Sequence, residues 1–167
     1  MNYGKIKPCD VANGEGVRVS LFVSGCPHHC KGCFNQELWD HDAGERFDCD
    51  TIFDIVTLCS KDYIAGLSLL GGEPLDPNNI HQVEVLCSTF KRRFPNKTIW
   101  CYTGYRWEAV KHLEIMKYID ILVDGQFVEG LKDPRLKFRG SSNQRIIMVK
   151  PSIESGKIYV RKDLMDE

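Results

Sequence analysis

Three cysteines within eight residues, Cys26, Cys30 and Cys33, are the part of this sequence best equipped for chemistry. They sit in Ser24-Gly25-Cys26-Pro27-His28-His29-Cys30-Lys31-Gly32-Cys33-Phe34, a Cys-x3-Cys-x2-Cys spacing just after an apolar run. Gly25, Pro27 and Gly32 let the backbone curl, so that three thiolates can turn inward around an iron–sulfur cubane. Three sulfurs leave one iron of a 4Fe–4S cluster without a protein ligand, and a small molecule can coordinate there. A structural zinc is the alternative, with His28 or His29 completing a Cys3His set. Zinc sites usually pair two ligand groups far apart in sequence, and no second Cys-x2-Cys or His-x3-His is present. Cys9, Cys49, Cys59, Cys87 and Cys101 are scattered; Cys59 and Cys87 fall on apolar helical faces, where free cysteine acts as a small core residue.

A second candidate is Leu69-Leu70-Gly71-Gly72-Glu73-Pro74. Alone it reads as a turn. Beside the cysteine loop it reads differently, because the glycines let the backbone approach a ligand and the Glu73 carboxylate can accept from a ligand ammonium. An amino acid chelating the open iron would present such a donor.

These loops need elements to hold them. Residues 18–24 (RVSLFVS), 67–70 (LSLL), 98–102 (TIWCY) and 119–123 (IDILV) read as buried strands. Between them, Ile52, Ile55, Val56 and Cys59 follow helical spacing, as do Ile80, Val83, Cys87 and Phe90, and residues 107–117 predict a shorter third helix. Alternating strand and helix demands a parallel sheet, which gathers the loops after the strands at one end. A complete eight-stranded barrel takes about 250 residues, so this chain has room for about five or six units. The fold expected is α/β: a partial, open (β/α) barrel of about five to six parallel strands. Residues 145–149 and 157–161, flanking Ser155-Gly156, predict a C-terminal hairpin.

A length of 167 residues, 43% hydrophobic and with no linker-like tract, predicts a single domain over 1–167. The formal net charge of -1 gives no reason to expect nucleic acid. No run reaches the ~20 apolar residues of a membrane span. Free or metal-bound cysteines fit a reducing, cytoplasmic setting.

Together, Cys-x3-Cys-x2-Cys and the Gly-Gly-Glu-Pro one strand later resemble the radical SAM superfamily, whose members use S-adenosylmethionine (SAM). Asn13-Gly14-Glu15-Gly16 with Arg18, Phe22-Val23-Ser24-Gly25-Cys26, Cys30-Lys31-Gly32-Cys33-Phe34-Asn35 and Trp39 narrow the resemblance to the activating proteins of anaerobic ribonucleoside-triphosphate reductases. Thr103-Gly104-Tyr105, Leu122-Val123-Asp124-Gly125, Leu131-Lys132-Asp133-Pro134 and Arg139-Gly140-Ser141-Ser142-Asn143-Gln144 carry it to about residue 145.

The resemblance implies a radical SAM core with Cys26, Cys30 and Cys33 as ligands of one 4Fe–4S cluster. It places Gly32, Cys33 and Phe34 against SAM, and Gly71, Gly72 and Glu73 around its amino group, with Thr103 and Asp124 as further cofactor contacts. Asp124 could equally be an acid capping the sheet end. No acid–base residue is implied, since the cofactors carry the chemistry. The implied partners are the glycyl-radical subunit of the reductase and a one-electron donor such as flavodoxin or ferredoxin. Two positions bear on the match. Gln126 stands where relatives often have lysine, and Gly32 rather than an aromatic precedes the third cysteine, as in the activating-protein subgroup. The basic segment 131–145, with Lys132, Arg135, Lys137, Arg139 and Arg145, is either solvated surface or a docking site. The rival readings are a radical SAM enzyme acting on a small molecule, like the deazaguanine synthases, an activase of another glycyl-radical enzyme, and a zinc-binding module.

Overall fold

Short apolar runs separated by helices fold into one sheet in the computed structural model, which describes residues 1–165. The chain runs β1 (Asn2–Asp10), β2 (Val17–Val23), β3 (Glu45–Arg46), α1 (Cys49–Cys59), β4 (Ile64–Gly71), α2 (Ile80–Arg93), β5 (Thr98–Tyr102), α3 (Trp107–Val110), β6 (Ile121–Asp124), β7 (Arg145–Met148), α4 (Val149–Ser155) and α5 (Lys162–Met165). The strand order is β3-β1-β2-β4-β5-β6-β7. The centre, β2-β4-β5-β6, is parallel. Among the described residues no helix is long and apolar enough to cross a membrane.

Four strands are therefore parallel, fewer than the five or six expected, and both margins are antiparallel. Parallel pairing needs a crossover, usually helical. The connection from β1 to β2 spans only residues 11–16, and that from β6 to β7 contains just the 3-10 turn Glu129–Leu131, so both strands return alongside their neighbours. β1 was not expected at all. It lies near the sheet edge with a half-exposed pattern, and its Pro8 falls in the register shift between Lys7 and Asp10, where a missing N–H is tolerated.

The C-terminal hairpin also differs. Residues 149–155 form α4, with Pro151 in the first turn, where no N–H is required, and Gly156 closing the helix at φ 70°. The Ser155-Gly156 pair is thus a helix stop. The returning chain meets β7 only through the isolated bridge Ile147↔Val160 and flanking backbone bonds. The expected third helix, 107–117, breaks into α3 and the 3-10 turn Glu114–Lys117. In one continuous helix Met116 would lie about 180° from Trp107; the break lets both be buried.

The two sheet faces have different tasks. Val19, Leu21 and Val23, Leu67 and Leu69, Ile99 and Cys101, and Leu122 point to the face covered by α1 and α2, whose Ile55, Cys59, Val83, Leu86, Cys87 and Phe90 complete the main core. The alternate residues Arg18, Phe22, Ser68, Leu70, Trp100 and Tyr102 point the other way. On this second face Arg18 is fully buried, and among the described residues no carboxylate is paired with it. Its guanidinium donates to Ser68 Oγ (2.7 Å), Glu15 O (3.0 Å), Thr98 Oγ1 (3.0 Å), Leu67 O (3.0 Å) and Thr98 O (2.8 Å). One side chain so joins β2, β4, β5 and the glycine-rich connection after β1. Burial pulls its pKa down to about 10. Gly66 makes room for it, since a Cβ there would fall 2.7 Å from Arg18 Nη2 and 1.9 Å from Thr98 O.

Arg18→Met keeps the stem volume and strips five donors' worth of bonds from buried acceptors. The expected loss is about 3 kcal/mol or more in urea unfolding. Unchanged stability would show that Arg18 does not staple the strands.

Candidate iron–sulfur and cofactor site

The parallel register of β2 on β4 sets Val23 beside Gly71, so the cysteine loop and the Gly-Gly-Glu turn leave the sheet side by side. Two backbone bonds fasten them: Gly72 N donates to Val23 O (2.7 Å) and Glu73 N to Gly25 O (2.8 Å). The approach is so close that a Cβ on Gly72 would lie 2.5 Å from Gly25 O. Glycine is required here for packing of loop on loop. Buried Asn79 adds a latch, its amide donating to Ser24 O (2.9 Å) and Glu73 O (3.0 Å).

The cysteine loop itself is held at its root by Gly25 N to Leu38 O (2.8 Å) and Cys26 N to Trp39 O (3.0 Å). It curls through left-handed backbone at His29 (φ 47°) and Gly32 (φ 74°), and the His29 ring stacks on Trp39 at 4.5 Å. All three thiols are partly exposed. Burial pushes the Cys26 thiol up to about 11 and raises that of Cys30. Ligation by a metal displaces the thiol proton.

Glu73 is buried at the centre of this region. Its Oε1 accepts from Leu75 N (3.0 Å) and Thr103 Oγ1 (2.8 Å), and its Oε2 from Gly104 N (2.8 Å) and His28 Nε2 (2.8 Å). The other nitrogen of His28, Nδ1, faces Gln126 Nε2 at 3.1 Å. His28 and Asn79 were not singled out as cofactor-supporting residues. The first reads from sequence only as a possible metal ligand and the second carries no reading, because their partners lie 45 and 55 positions away.

A cavity of about 850 Å³ opens in front of these groups. Cys26, Cys30, Cys33, Phe34, Gly71, Gly72, Glu73 and Thr103 all line it, and its floor is the second sheet face at Phe22, Leu70 and Tyr102. Gly32 and Asp124 are outside the lining.

The donor set fits an iron–sulfur cluster. Three soft thiols share one wall of the cavity, while both nitrogens of His28 are engaged and His29 is stacked away on Trp39, so neither histidine is placed as a fourth ligand. Among the described residues no three His, Cys, Asp or Glu side chains gather in the manner of a single-ion site. A cubane attaches its thiolates to separate irons, so its ligands stand further apart.

Comparison with known proteins agrees. A family described as a 4Fe-4S single cluster domain matches residues 12–147. The anaerobic ribonucleoside-triphosphate reductase-activating protein of Enterobacteria phage T4 is 47% identical over 146 residues, covering 87% of this chain and 93% of the phage protein. Those of Haemophilus influenzae and Escherichia coli K12 are 43% and 40% identical, covering 87% and 86% of this chain and 97% and 96% of theirs. The chain belongs to the family of anaerobic ribonucleoside-triphosphate reductase-activating proteins.

In this activating-protein family member, Asp124 ends β6 fully buried. It accepts from Trp107 N (2.8 Å) and pairs with Arg145, which also reaches Glu108 (3.2 Å). Asp124 holds the Arg145 guanidinium above its ordinary range. Gly32 faces Glu129, whose carboxylate would lie 2.8 Å from an added Cβ. The basic segment is largely tied down too. Arg135 pairs with Asp133, and Arg139 donates to the carbonyls of Ser142, Gln144 and Met165. Lys132, over the Phe34 ring at 4.9 Å, and Lys137 remain exposed.

Asp124→Asn keeps the shape and removes the charge opposite Arg145. With Arg145 a quarter exposed and still near Glu108, the expected loss is about 2 kcal/mol in thermal or urea unfolding. Affinity for SAM is expected to stay at the parent value; a selective loss of SAM binding at unchanged stability would mark Asp124 as a cofactor contact.

Proposed function

We propose that this chain activates an anaerobic ribonucleoside-triphosphate reductase by reductive cleavage of SAM at a 4Fe–4S cluster held by Cys26, Cys30 and Cys33. One observation carries the reading: the three thiols and the Gly-Gly-Glu turn, on the ends of neighbouring parallel strands, line the same cavity. Cys26, Cys30 and Cys33 would hold the cluster, which would pass one electron from a donor such as flavodoxin or ferredoxin to SAM and so supply hydrogen-atom abstraction from a reductase glycine, with methionine and 5'-deoxyadenosine as products and a glycyl radical left on the reductase.

The chain's own residues bind, orient and exclude water. The thiols give up their protons on ligation. Gly71, Gly72 and Glu73 would face the SAM amino group and Phe34 and Thr103 would complete its surroundings, with Gly32 turning the loop behind them. No side chain is assigned to acid–base work, because homolysis and hydrogen-atom transfer need none. The cavity floor is apolar at Phe22 and Leu70, which limits water around a reactive radical. Its rim reaches the exposed Phe34 and Lys132, an open mouth suited to a segment of a large substrate more than to an enclosed heterocycle. The reaction is placed in the cytoplasm, where the thiols stay reduced.

Cys26→Ala, Cys30→Ala and Cys33→Ala are each expected to abolish stoichiometric cluster and SAM cleavage, measured as iron, sulfide and 5'-deoxyadenosine after anaerobic reconstitution. Cys59→Ala and Cys87→Ala, buried behind the sheet, keep both. A full cluster with normal cleavage in any triplet variant would overturn the assignment.

A second expectation concerns the mouth. Lys132→Glu with Lys137→Glu raises the KM for the reductase about tenfold at low salt, with the gap narrowing as ionic strength rises. Reductant-driven SAM cleavage without reductase is unchanged. Equal activation kinetics at low salt would exclude these lysines from docking.

A further inference from the structure

His28 belongs to the cysteine loop by sequence and to the cofactor wall by contact. Its side chain is 8% exposed and its ring meets three other loops. Nε2 is 2.8 Å from Glu73 of the Gly-Gly-Glu turn, Nδ1 is 3.1 Å from Gln126 after β6, and the ring packs edge-on against Tyr105 after β5 at 4.6 Å. Gly104 has to be glycine for this, since a Cβ there would lie 2.4 Å from the imidazole. With Gln126 Nε2 donating to Nδ1, the proton sits on Nε2 and points at the carboxylate.

The state of Glu73 makes this contact consequential. A carboxylate offers about four acceptor positions, and the protein fills them with Leu75 N, Thr103 Oγ1, Gly104 N and His28 Nε2. A ligand ammonium reaching this side chain must share an oxygen that is already occupied, so the carboxylate serves best when its orientation is fixed beforehand. Three of the four donors come from its own turn and from the loop after β5. The fourth comes from between two cysteines, and it alone ties the carboxylate to the loop that carries the thiols.

We infer that His28 is a positioning residue: through Glu73 on one side and Gln126 on the other, it makes the cysteine loop and the Gly-Gly-Glu turn one rigid unit, so that SAM affinity depends on its two hydrogen bonds. This rests on the SAM reading above. Cluster assembly, which requires only the three thiolates, is separable from it. By linkage, order imposed on the turn by SAM also steadies the cysteine loop.

The test compares His28→Phe, which keeps the ring and its contact with Tyr105 but has no hydrogen bonds, with His28→Gln, which retains an amide donor for Glu73. Each is reconstituted anaerobically, its iron and sulfide counted, and SAM titrated against the reduced cluster by electron paramagnetic resonance. His28→Phe is expected to hold a full cluster and bind SAM about tenfold more weakly, and His28→Gln to recover most of that loss at a similar unfolding midpoint. In the metal-free proteins, hydrogen exchange across residues 26–33 and 71–74 is expected to quicken together in His28→Phe. Gln126→Leu, outside the cavity lining, is expected to weaken SAM binding about threefold through His28 alone, and it carries the test if His28→Phe does not fold. Parent-like SAM affinity in folded His28→Phe, or in Gln126→Leu where that variant stands in, overturns the inference and leaves the functional reading intact. A parent protein whose cluster binds no SAM overturns both.

Discussion

The parallel pairing of β2 with β4 is the constraint on which the site depends. It runs from Val17↔Ile64 to Val23↔Gly71 and brings the two strands to a common end. A slip of β4 by one residue against β2 would turn Leu70 into the helical layer and carry Leu67 and Leu69 to the cavity side. The buried rows of α1 and α2 hold the register from one face and the Arg18 bonds to Ser68, Leu67 and Thr98 hold it from the other. With the register set, Gly72 and Glu73 can reach Val23 and Gly25 only because no Cβ intervenes.

The sheet is covered on one face by helices and is open toward a cavity on the other. That division explains why polar groups are buried on the second face. A wholly apolar second face would need its own covering layer, and a cavity prevents one. Arg18 stabilises the face differently, filling space with its stem and Trp100 contact while its guanidinium satisfies backbone and hydroxyl acceptors that the open side would otherwise leave to water.

What could be read from sequence follows from how local each cause is. The central strands and the first two helices were legible because burial on one or both sides imposes a period visible in neighbouring residues: Val19, Leu21 and Val23 on β2, or Val83, Cys87 and Phe90 on α2. The cysteine triplet was legible because its three groups are adjacent. β1 was not, since a strand near the edge needs few apolar residues and its partner is chosen by the chain's return. Ser155-Gly156 misled because glycine in left-handed backbone ends helices as readily as it turns hairpins. Gln126 looked like a position lacking a charge, whereas in the fold it reaches the ring of His28, 98 residues earlier.

Asp124 and Glu73 show how far burial decides what a carboxylate does. Each ends a strand or begins the turn after one, each is almost completely buried, and the two are indistinguishable as motif residues. Asp124 meets a full positive charge in Arg145 and one backbone N–H, partners that belong to α3 and β7 and lie away from the cavity. Glu73 meets backbone and hydroxyl donors and an imidazole, among groups that line the cavity, and no arginine or lysine is paired with it among the described residues. The first arrangement neutralises its carboxylate within the protein. The second holds a carboxylate in place without a formal cation, which leaves its field directed at whatever cation enters in front of it. The difference between an acid neutralised inside the protein and one left facing the cavity therefore lies in the charge of the partners, which a motif does not contain.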